Sequence, residues 1–414
     1  MENGKELLFS CLKRDQDGKK PARLRSYSPA DWEAVAEMAA AQKVLPNLHH
    51  SLKPYSSELN IPAPAAEKIR SAYYGSAARN MEIYDRLFKA LDLFADSNLQ
   101  VILLKGAHLA ELVYNNLALR PMSDLDLLAK TEDLAIIHEL LIGDGYEFPG
   151  KKAQSDTKHL PPYRKEGGVI IEIHYHIANP PYSDRISITD LWNRSQTAGL
   201  HNREVRILSP EDLLLHLCQH TCIQHGFDNG LISVLDAARV MERYSEEIDW
   251  DLLLARADQW GIKRAVILIL MMVEKIEGFP LPEPVRNQLE DKHGYETALA
   301  TAEELIMSRK KERAVKTTRY LARLFDGKDW QEKLSYIRQR LLPSGEVSYA
   351  GQKKVADLSL PLKIQFYLKR TFVRFKRYGK TVWFALRRDP QTILAIEEEN
   401  RKNRLRDWMD RAGS

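Results

Sequence analysis

Acidic and apolar side chains alternate in the run Asp124-Leu-Asp126-Leu-Leu-Ala129. Residues two apart in a strand point to one face, with α-carbons about 7 Å apart. Such a strand would set the carboxylates of Asp124 and Asp126 side by side, with Leu125 and Leu127 buried behind them. Two like charges so placed repel unless a cation sits between them, and removing either should leave the fold intact or stabilised. Paired oxygen ligands suit magnesium, and a metal pair can clamp the attacking and leaving oxygens of phosphoryl transfer. The competing reading of an isolated Asp-x-Asp is a solvated acidic strand edge.

A second alternating run, Val169-Ile-Ile-Glu-Ile-His-Tyr-His176, puts Ile170, Glu172, His174 and His176 on one face. Burying a lone carboxylate costs several kcal/mol unless it is paired or metal-bound. Glu172, between Ile171 and Ile173, is therefore the third candidate ligand, facing Asp124 and Asp126 across the sheet. Upstream, the apolar run Gln100-Val-Ile-Leu-Leu-Lys105 ends at Gly106, and helical spacing follows. Glycine at a strand-to-helix turn lets a phosphate approach the backbone, and the helix N-terminus offers free N–H donors. Lys105 and Arg120 add positive charge on either side. A plain tight turn is the competing reading.

Two further groups carry less. His216, Cys218, His220, Cys222 and His225 invite a zinc site. On one helix, however, His216 and His220 share a face while Cys218 points elsewhere, and no second ligand pair from another element is evident. Zinc is not expected. Asp236, an acid within the apolar helix around Leu231–Ala238, could pair with a core Lys or Arg or orient a substrate; the structural role is favoured.

The elements that must position these residues follow from periodicity. Apolar residues recur three and four apart from Asp31 to Gln42 and from Ala65 to Asp96, so residues 5–98 are helical. Helical spacing returns from Ala107 to Asn116 and from Thr131 to Asp144. Strands are expected around His159–Arg164 and Val169–His176, turned by Gly167-Gly168. Ser209-Pro-Glu-Asp supplies an N-cap, a proline at the first helical position and acids in the first turn. Helices follow to about Phe325, interrupted at Gly261 and at Gly278-Phe-Pro-Leu-Pro282. The fold class is α+β, a small mixed-sheet core embedded between helical regions. The expected divisions are a helical region over 1–98, an α/β core over 99–205, a helical bundle over 206–340 and a basic aromatic tail over 341–414.

Composition bounds the function. The 414 residues carry 61 Lys/Arg against 57 Asp/Glu, a net +4, with 44% hydrophobic residues, which excludes a disordered chain and a histone-like polycation. Three cysteines are too few to staple a secreted scaffold. With no apolar signal sequence and no membrane-spanning run, a cytoplasmic protein is expected. Residues 341–414 hold 16 Lys/Arg against 8 Asp/Glu. Within them, 362–388 contain nine Lys/Arg and no acid, interleaved with Phe366, Tyr367, Phe372, Phe375, Tyr378, Trp383 and Phe384. That composition fits nucleic-acid stacking, an interfacial membrane helix or a helix docked on the body. Docking, with Trp383 buried, is favoured.

The order strand, glycine, helix, Asp-x-Asp and later acidic strand resembles the polymerase-β-type nucleotidyltransferase fold. More closely, Leu104-Lys-Gly-Ala-His-Leu-Ala-Glu-Leu-Val-Tyr114 with Leu119-Arg-Pro-Met-Ser-Asp-Leu-Asp-Leu-Leu128 resembles the uncharacterised bacterial nucleotidyltransferases of the nucleotidyltransferase-5 family. Ile171-Glu-Ile-His174 and Ser209-Pro-Glu-Asp-Leu-Leu-Leu-His-Leu-Cys-Gln-His220 are similar to its later segments, and the likeness runs from about residue 30 to 380. The resemblance implies a mixed sheet of five strands or fewer, Mg2+ or Mn2+, and a nucleoside triphosphate, ATP foremost. Asp124, Asp126 and Glu172 are then the catalytic and metal-holding residues. Lys105, Gly106, His108, Arg120, Ser123, His174 and His220 are expected around the nucleotide, His220 because the resemblance sets its helix against the active site. One departure matters: the superfamily's usual Gly-Ser pair is Gly106-Ala107 here, a contact that Lys105 and His108 could replace. The implied activity is transfer of a nucleoside monophosphate to a small-molecule or protein acceptor. The alternative is a non-catalytic nucleotide- or RNA-binding protein on a degenerate nucleotidyltransferase fold.

Overall fold

The helical spacing of the first hundred residues becomes five helices: α1 (Glu2–Leu12), α2 (Lys20–Leu24), α3 (Pro29–Ala41), α4 (Leu45–Leu52) and α5 (Ala63–Ala95). Local chemistry sets where they start. The Ser28 hydroxyl accepts the Asp31 amide while the Asp31 carboxylate accepts the Ser28 amide, and Pro29 fills the first helical position of α3. The computed structural model describes residues 2–148, 158–165, 168–289, 291–308 and, beyond these, 322–323, 325, 348–349, 353–354, 361, 365, 383–385 and 387–410. Gly167 of the expected hairpin turn lies outside the described residues, and Gly168 beside it has φ +78°.

Next come β1 (Val101–Leu103), α6 (Lys105–Leu112), β2 (Asp124–Ala129), α7 (Leu134–Gly143), β3 (Tyr163–Arg164), β4 (Ile170–His174), α8 (Ile188–Arg194), β5 (Gln196–Leu200) and β6 (Arg203–Ile207). The sheet order is β3-β4-β2-β1-β6-β5. β2 runs parallel to β4 and β1 to β6, and the other neighbours are antiparallel. Six strands replace the five or fewer that the resemblance implied. The β5–β6 hairpin makes the difference, and β5 (Gln-Thr-Ala-Gly-Leu) is a mostly exposed edge strand without an apolar run.

Pleating sorts the sheet into two faces. Val101, Leu103, Leu125, Leu127, Ala129, Ile171, Ile173, Val205 and Ile207 enter one apolar cluster with Ile83, Leu87 and Phe94 of α5 and Ile137 and Leu141 of α7. Each fully buried leucine or isoleucine is worth about 1.5–3 kcal/mol relative to exposure. That gain holds β2 and β4 in register and carries Asp126, Glu172 and His174 onto the opposite face.

Beyond the sheet come α9 (Pro210–Gln219), a π-helical segment (His220–Gln224), α10 (Ile232–Arg243), α11 (Trp250–Gln259), α12 (Lys263–Glu277), α13 (Glu283–Arg286) and α14 (Lys292–Met307). Of these, α9, the π-helical segment and α10 share a cleft with the acids of β2 and β4. Helices α11 and α12 pack on α9, α13 on α11 and α14 on α12. The Ser209 hydroxyl caps α9 by accepting the Asp212 amide. The N-terminal helices are tied to this bundle. Lys5 Nζ meets Glu303 Oε1 at 2.6 Å, Gln42 Nε2 donates to the Ile306 carbonyl at 2.8 Å, and the Leu231 amide donates to Gln42 Oε1 at 3.1 Å. Gly230, at φ +84°, packs so tightly that a Cβ would stand 3.0 Å from the Gln42 carbonyl oxygen.

The chain divides into two compact units, Met1–Met307 with Met409–Ser414, and Ser308–Trp408. Among the described residues of the second, Ser348–Tyr349 pairs with Lys353–Lys354, and Ala322, Ala385 and Ile396 form a small core. Most of 362–388 lies outside the described residues. Trp383 and Phe384 are 55% and 40% exposed. Among the described residues, no helix is long and apolar enough to cross a membrane.

Candidate active site

Parallel pairing of β2 with β4 sets Asp126 beside Glu172 and Leu128 beside His174. One ligand atom each from Asp126, Glu172 and His174 lies within 4.8 Å of the others. Asp124 stands at the start of β2, opposite Ile170 and outside that trio. It lines the same cleft as Asp126 and Glu172, a cavity of about 480 Å3. His174, expected around the nucleotide, is fully buried and packed against the acids instead.

The cluster's charges are unevenly balanced. Asp126 Oδ1 accepts Lys105 Nζ at 2.6 Å and meets His174 Nε2 at 2.7 Å. Burial pushes the Asp126 carboxyl up, but Lys105 and His174 outweigh it and hold it well below the usual carboxylate range. Asp124 moves the other way: burial first, then the Asp126 charge, raise its carboxyl above the ordinary value. Glu172 is held low, chiefly by the His174 imidazole and against the effect of burial; His174 Nε2 lies 3.6 Å from its Oε2.

The strand-to-helix turn lies beside these acids. Lys105 sits at φ +43°, a left-handed conformation that costs a non-glycine residue about 1–3 kcal/mol and recurs at functional sites. Gly106 is needed for close packing as well as for an open backbone, since a Cβ there would fall 2.7 Å from the Met122 sulfur. Ala107 is fully buried in the apolar cluster.

Of the other expected nucleotide contacts, Lys105, Gly106, Arg120, Ser123 and His220 line the cleft. Ser123 Oγ donates to Asp124 Oδ1 at 3.2 Å. The Arg120 Nε contacts both Asp236 oxygens, at 2.8 and 2.9 Å, and Tyr114 Oη donates to Asp236 at 2.9 Å. Asp236 therefore has a buried arginine as its partner. His220 Nδ1 lies 3.2 Å from Asn229 Nδ2, and its ring centroid is 4.4 Å from that of His225. His108 does not reach the cleft: it is fully buried with Nε2 3.4 Å from Tyr244 Oη, and burial drops its imidazole to about 3. His216 is likewise fully buried, and Cys218 and Cys222 are buried free thiols.

Among the cleft residues that escaped sequence reasoning are three basic ones. His159 places Nε2 4.0 Å from Glu172 Oε2, with its ring centroid 5.0 Å from that of His174. Lys158 precedes it, and Lys43 enters from the turn after α3. The signal for His159 was its place at the start of the strand expected around His159–Arg164; in the fold it lies opposite His174 in a short antiparallel bridge. Lys158 follows a polar stretch without periodicity, and Lys43 is remote in sequence.

Residues 28–278 match the family described as uncharacterised nucleotidyltransferase. No curated protein and no solved structure matches the chain.

Proposed function

We propose that this chain, which belongs to the uncharacterised nucleotidyltransferase family, transfers a nucleoside monophosphate from a nucleoside triphosphate, ATP foremost, to a small-molecule or protein acceptor. The observation that carries this reading is the β2–β4 register, which gathers Asp126, Glu172 and His174 within 4.8 Å of one another beside a cleft that Asp124, Asp126 and Glu172 line. The carboxylates of Asp126, Glu172 and Asp124 are oxygen donors of the kind that suits Mg2+ or Mn2+, while the His174 imidazole is engaged with Asp126. A cation held by Asp126, Glu172 and Asp124 would polarise phosphate oxygens and ease deprotonation of the acceptor.

The chain's own groups do the rest. Lys105 neutralises Asp126, and from that position its ammonium can turn to a phosphate oxygen. Gly106 keeps the first turn of α6 open to the cleft, where backbone N–H groups can meet the phosphate chain. Arg120 is held by Asp236 and adds fixed positive charge along the wall. Asp124 completes the carboxylate set of the cleft, and the proton of the acceptor hydroxyl passes to solvent water. The acceptor oxygen bonds to the α-phosphorus, the bond to the β-phosphate oxygen breaks, and pyrophosphate departs with the electron pair.

The test is a thermal shift with magnesium and each nucleoside triphosphate, followed by pyrophosphate release against a panel of acceptors. A shift that Asp126→Asn abolishes, with release on one acceptor, supports the reading. A shift without release on any acceptor favours the non-catalytic alternative, and no shift with any nucleotide overturns both.

A further inference from the structure

We propose that Lys158 binds the polyphosphate end of the nucleotide and then the departing pyrophosphate, an inference that rests on the nucleotidyltransferase reading. Lys158 is 7% exposed, yet it lines the cleft with Asp124, Asp126 and Glu172. Its ammonium donates to Gln224 Oε1 at 2.5 Å, and among the described residues no carboxylate oxygen comes within 4.0 Å of it. A buried ammonium resting on one neutral amide is costly. Other buried or half-buried cations of this unit are better served. Lys105 has Asp126 and Arg120 has Asp236. Lys20, which also lacks a carboxylate, has two acceptors, the Lys13 carbonyl at 2.8 Å and the Ser51 hydroxyl at 2.6 Å.

The neutral partner is held in place deliberately. Gln224 Nε2 donates to the Ile177 carbonyl at 2.8 Å and to Gln219 Oε1 at 2.7 Å, which fixes the amide so that its oxygen faces Lys158. Gln224 is the last residue of the π-helical segment, a distortion that recurs at functional sites. An ammonium has three protons, and Gln224 takes one. Burial, then the Lys105 charge, lower the Lys158 amine to about 7, while Asp126 and Glu172 act in the opposite sense. A polyanion bound across Lys105 and Lys158 supplies the counter-charge that no described carboxylate gives Lys158 at contact distance, and a phosphate chain has the charge density to do so.

Calorimetric titration of the full-length protein with magnesium tripolyphosphate, magnesium ATP and AMP tests this, with Lys158→Met and Lys158→Gln as variants. Both should weaken tripolyphosphate and ATP by roughly 10- to 100-fold, the worth of a charge-assisted hydrogen bond. AMP, which lacks the polyphosphate, should stay within about threefold of wild type. Both variants should also melt higher than wild type, because removing an unneutralised buried charge relieves the apo protein; loss of a merely structural lysine would lower the melt. Unchanged tripolyphosphate affinity, equal losses for AMP and tripolyphosphate, or a lower melt in both variants overturns the inference. If wild type binds magnesium ATP and tripolyphosphate and the variants match it, the inference alone falls. If wild type binds neither, the nucleotidyltransferase reading falls with it.

Discussion

Asp126 takes the Lys105 ammonium at 2.6 Å, while Asp124, two residues earlier on the same face of β2, accepts the Ser123 hydroxyl at 3.2 Å and has no cation within 4.0 Å among the described residues. The two carboxylates are therefore not equivalent, although the alternation of β2 makes them look so. Asp126 anchors two buried groups, Lys105 and His174, and its loss strands both.

Asp126→Asn should accordingly destabilise the metal-free protein by about 3 kcal/mol, the usual cost of removing one partner from a buried pair. This prediction differs from the symmetrical expectation that removing either acid spares or stabilises the fold, because Asp126 holds Lys105 and His174. Urea denaturation without divalent cations measures it. A midpoint equal to wild type would show that Lys105 finds another partner.

Asp124→Asn should stabilise at neutral pH. The unfolded aspartate ionises near pH 3.9, whereas the folded carboxyl, raised by burial and by Asp126, ionises later. Between those two values the native state binds more protons, so stability falls as pH rises, and the deficit persists above them. The gain in Tm on Asp124→Asn should be present at pH 7 and vanish once the pH drops below about 4. Melting curves from pH 3 to 8 that run parallel would contradict the raised carboxyl.

Gly106→Ala forces Met122 to move, since the new Cβ would fall 2.7 Å from its sulfur and 2.8 Å from its Cγ. Overpacking of this kind costs about 1–3 kcal/mol. Because Met122 leads into Ser123 and Asp124, nucleotide affinity should fall as well. The double variant Gly106→Ala with Met122→Ala should recover part of the lost stability. If it instead loses the sum of the single effects, the clash is not the cause.

Arg120 and Asp236 bind each other across 116 residues of chain. Asp236→Ala should cost about 3 kcal/mol by leaving a buried guanidinium unpaired, and Arg120→Met a similar amount by stranding the acid. The pair Arg120→Met with Asp236→Leu should cost less than either single change. A double-mutant cycle by denaturant unfolding reads the coupling, and additive losses would mean that the two groups are solvated independently.

Much of this was legible in local pattern. Leu125 and Leu127 against Asp126, and Ile171 and Ile173 against Glu172, named the strands and their faces, because pleating obliges every second side chain to one side. Ser28 and Ser209 marked helix starts through their own hydroxyls. What escaped depends on partners distant in sequence. His174 joins Asp126 only because β2 and β4 pair in one register, and nothing local specifies that pairing. His108 lies at a position that could have faced the cleft; Tyr244, 136 residues away, meets it in the core instead. The β5–β6 hairpin has an edge strand without an apolar run, so periodicity could not announce it.

The grip of Gln42 on Leu231, with Gly230 pressed against the Gln42 carbonyl, bears on how such a protein can diversify. One wall of the cleft is fastened by a residue from the first fifty, so the acid-bearing strands are not a detachable cassette. A fragment beginning at residue 99 would retain every acid of the cluster and lose the brace that seats the loop before α10. The same arrangement separates two inheritances. Drift in the turn carrying Gln42 and Lys43 can reshape what the cleft admits while β2 and β4 stay untouched, so paralogues could share one chemistry and differ in clientele.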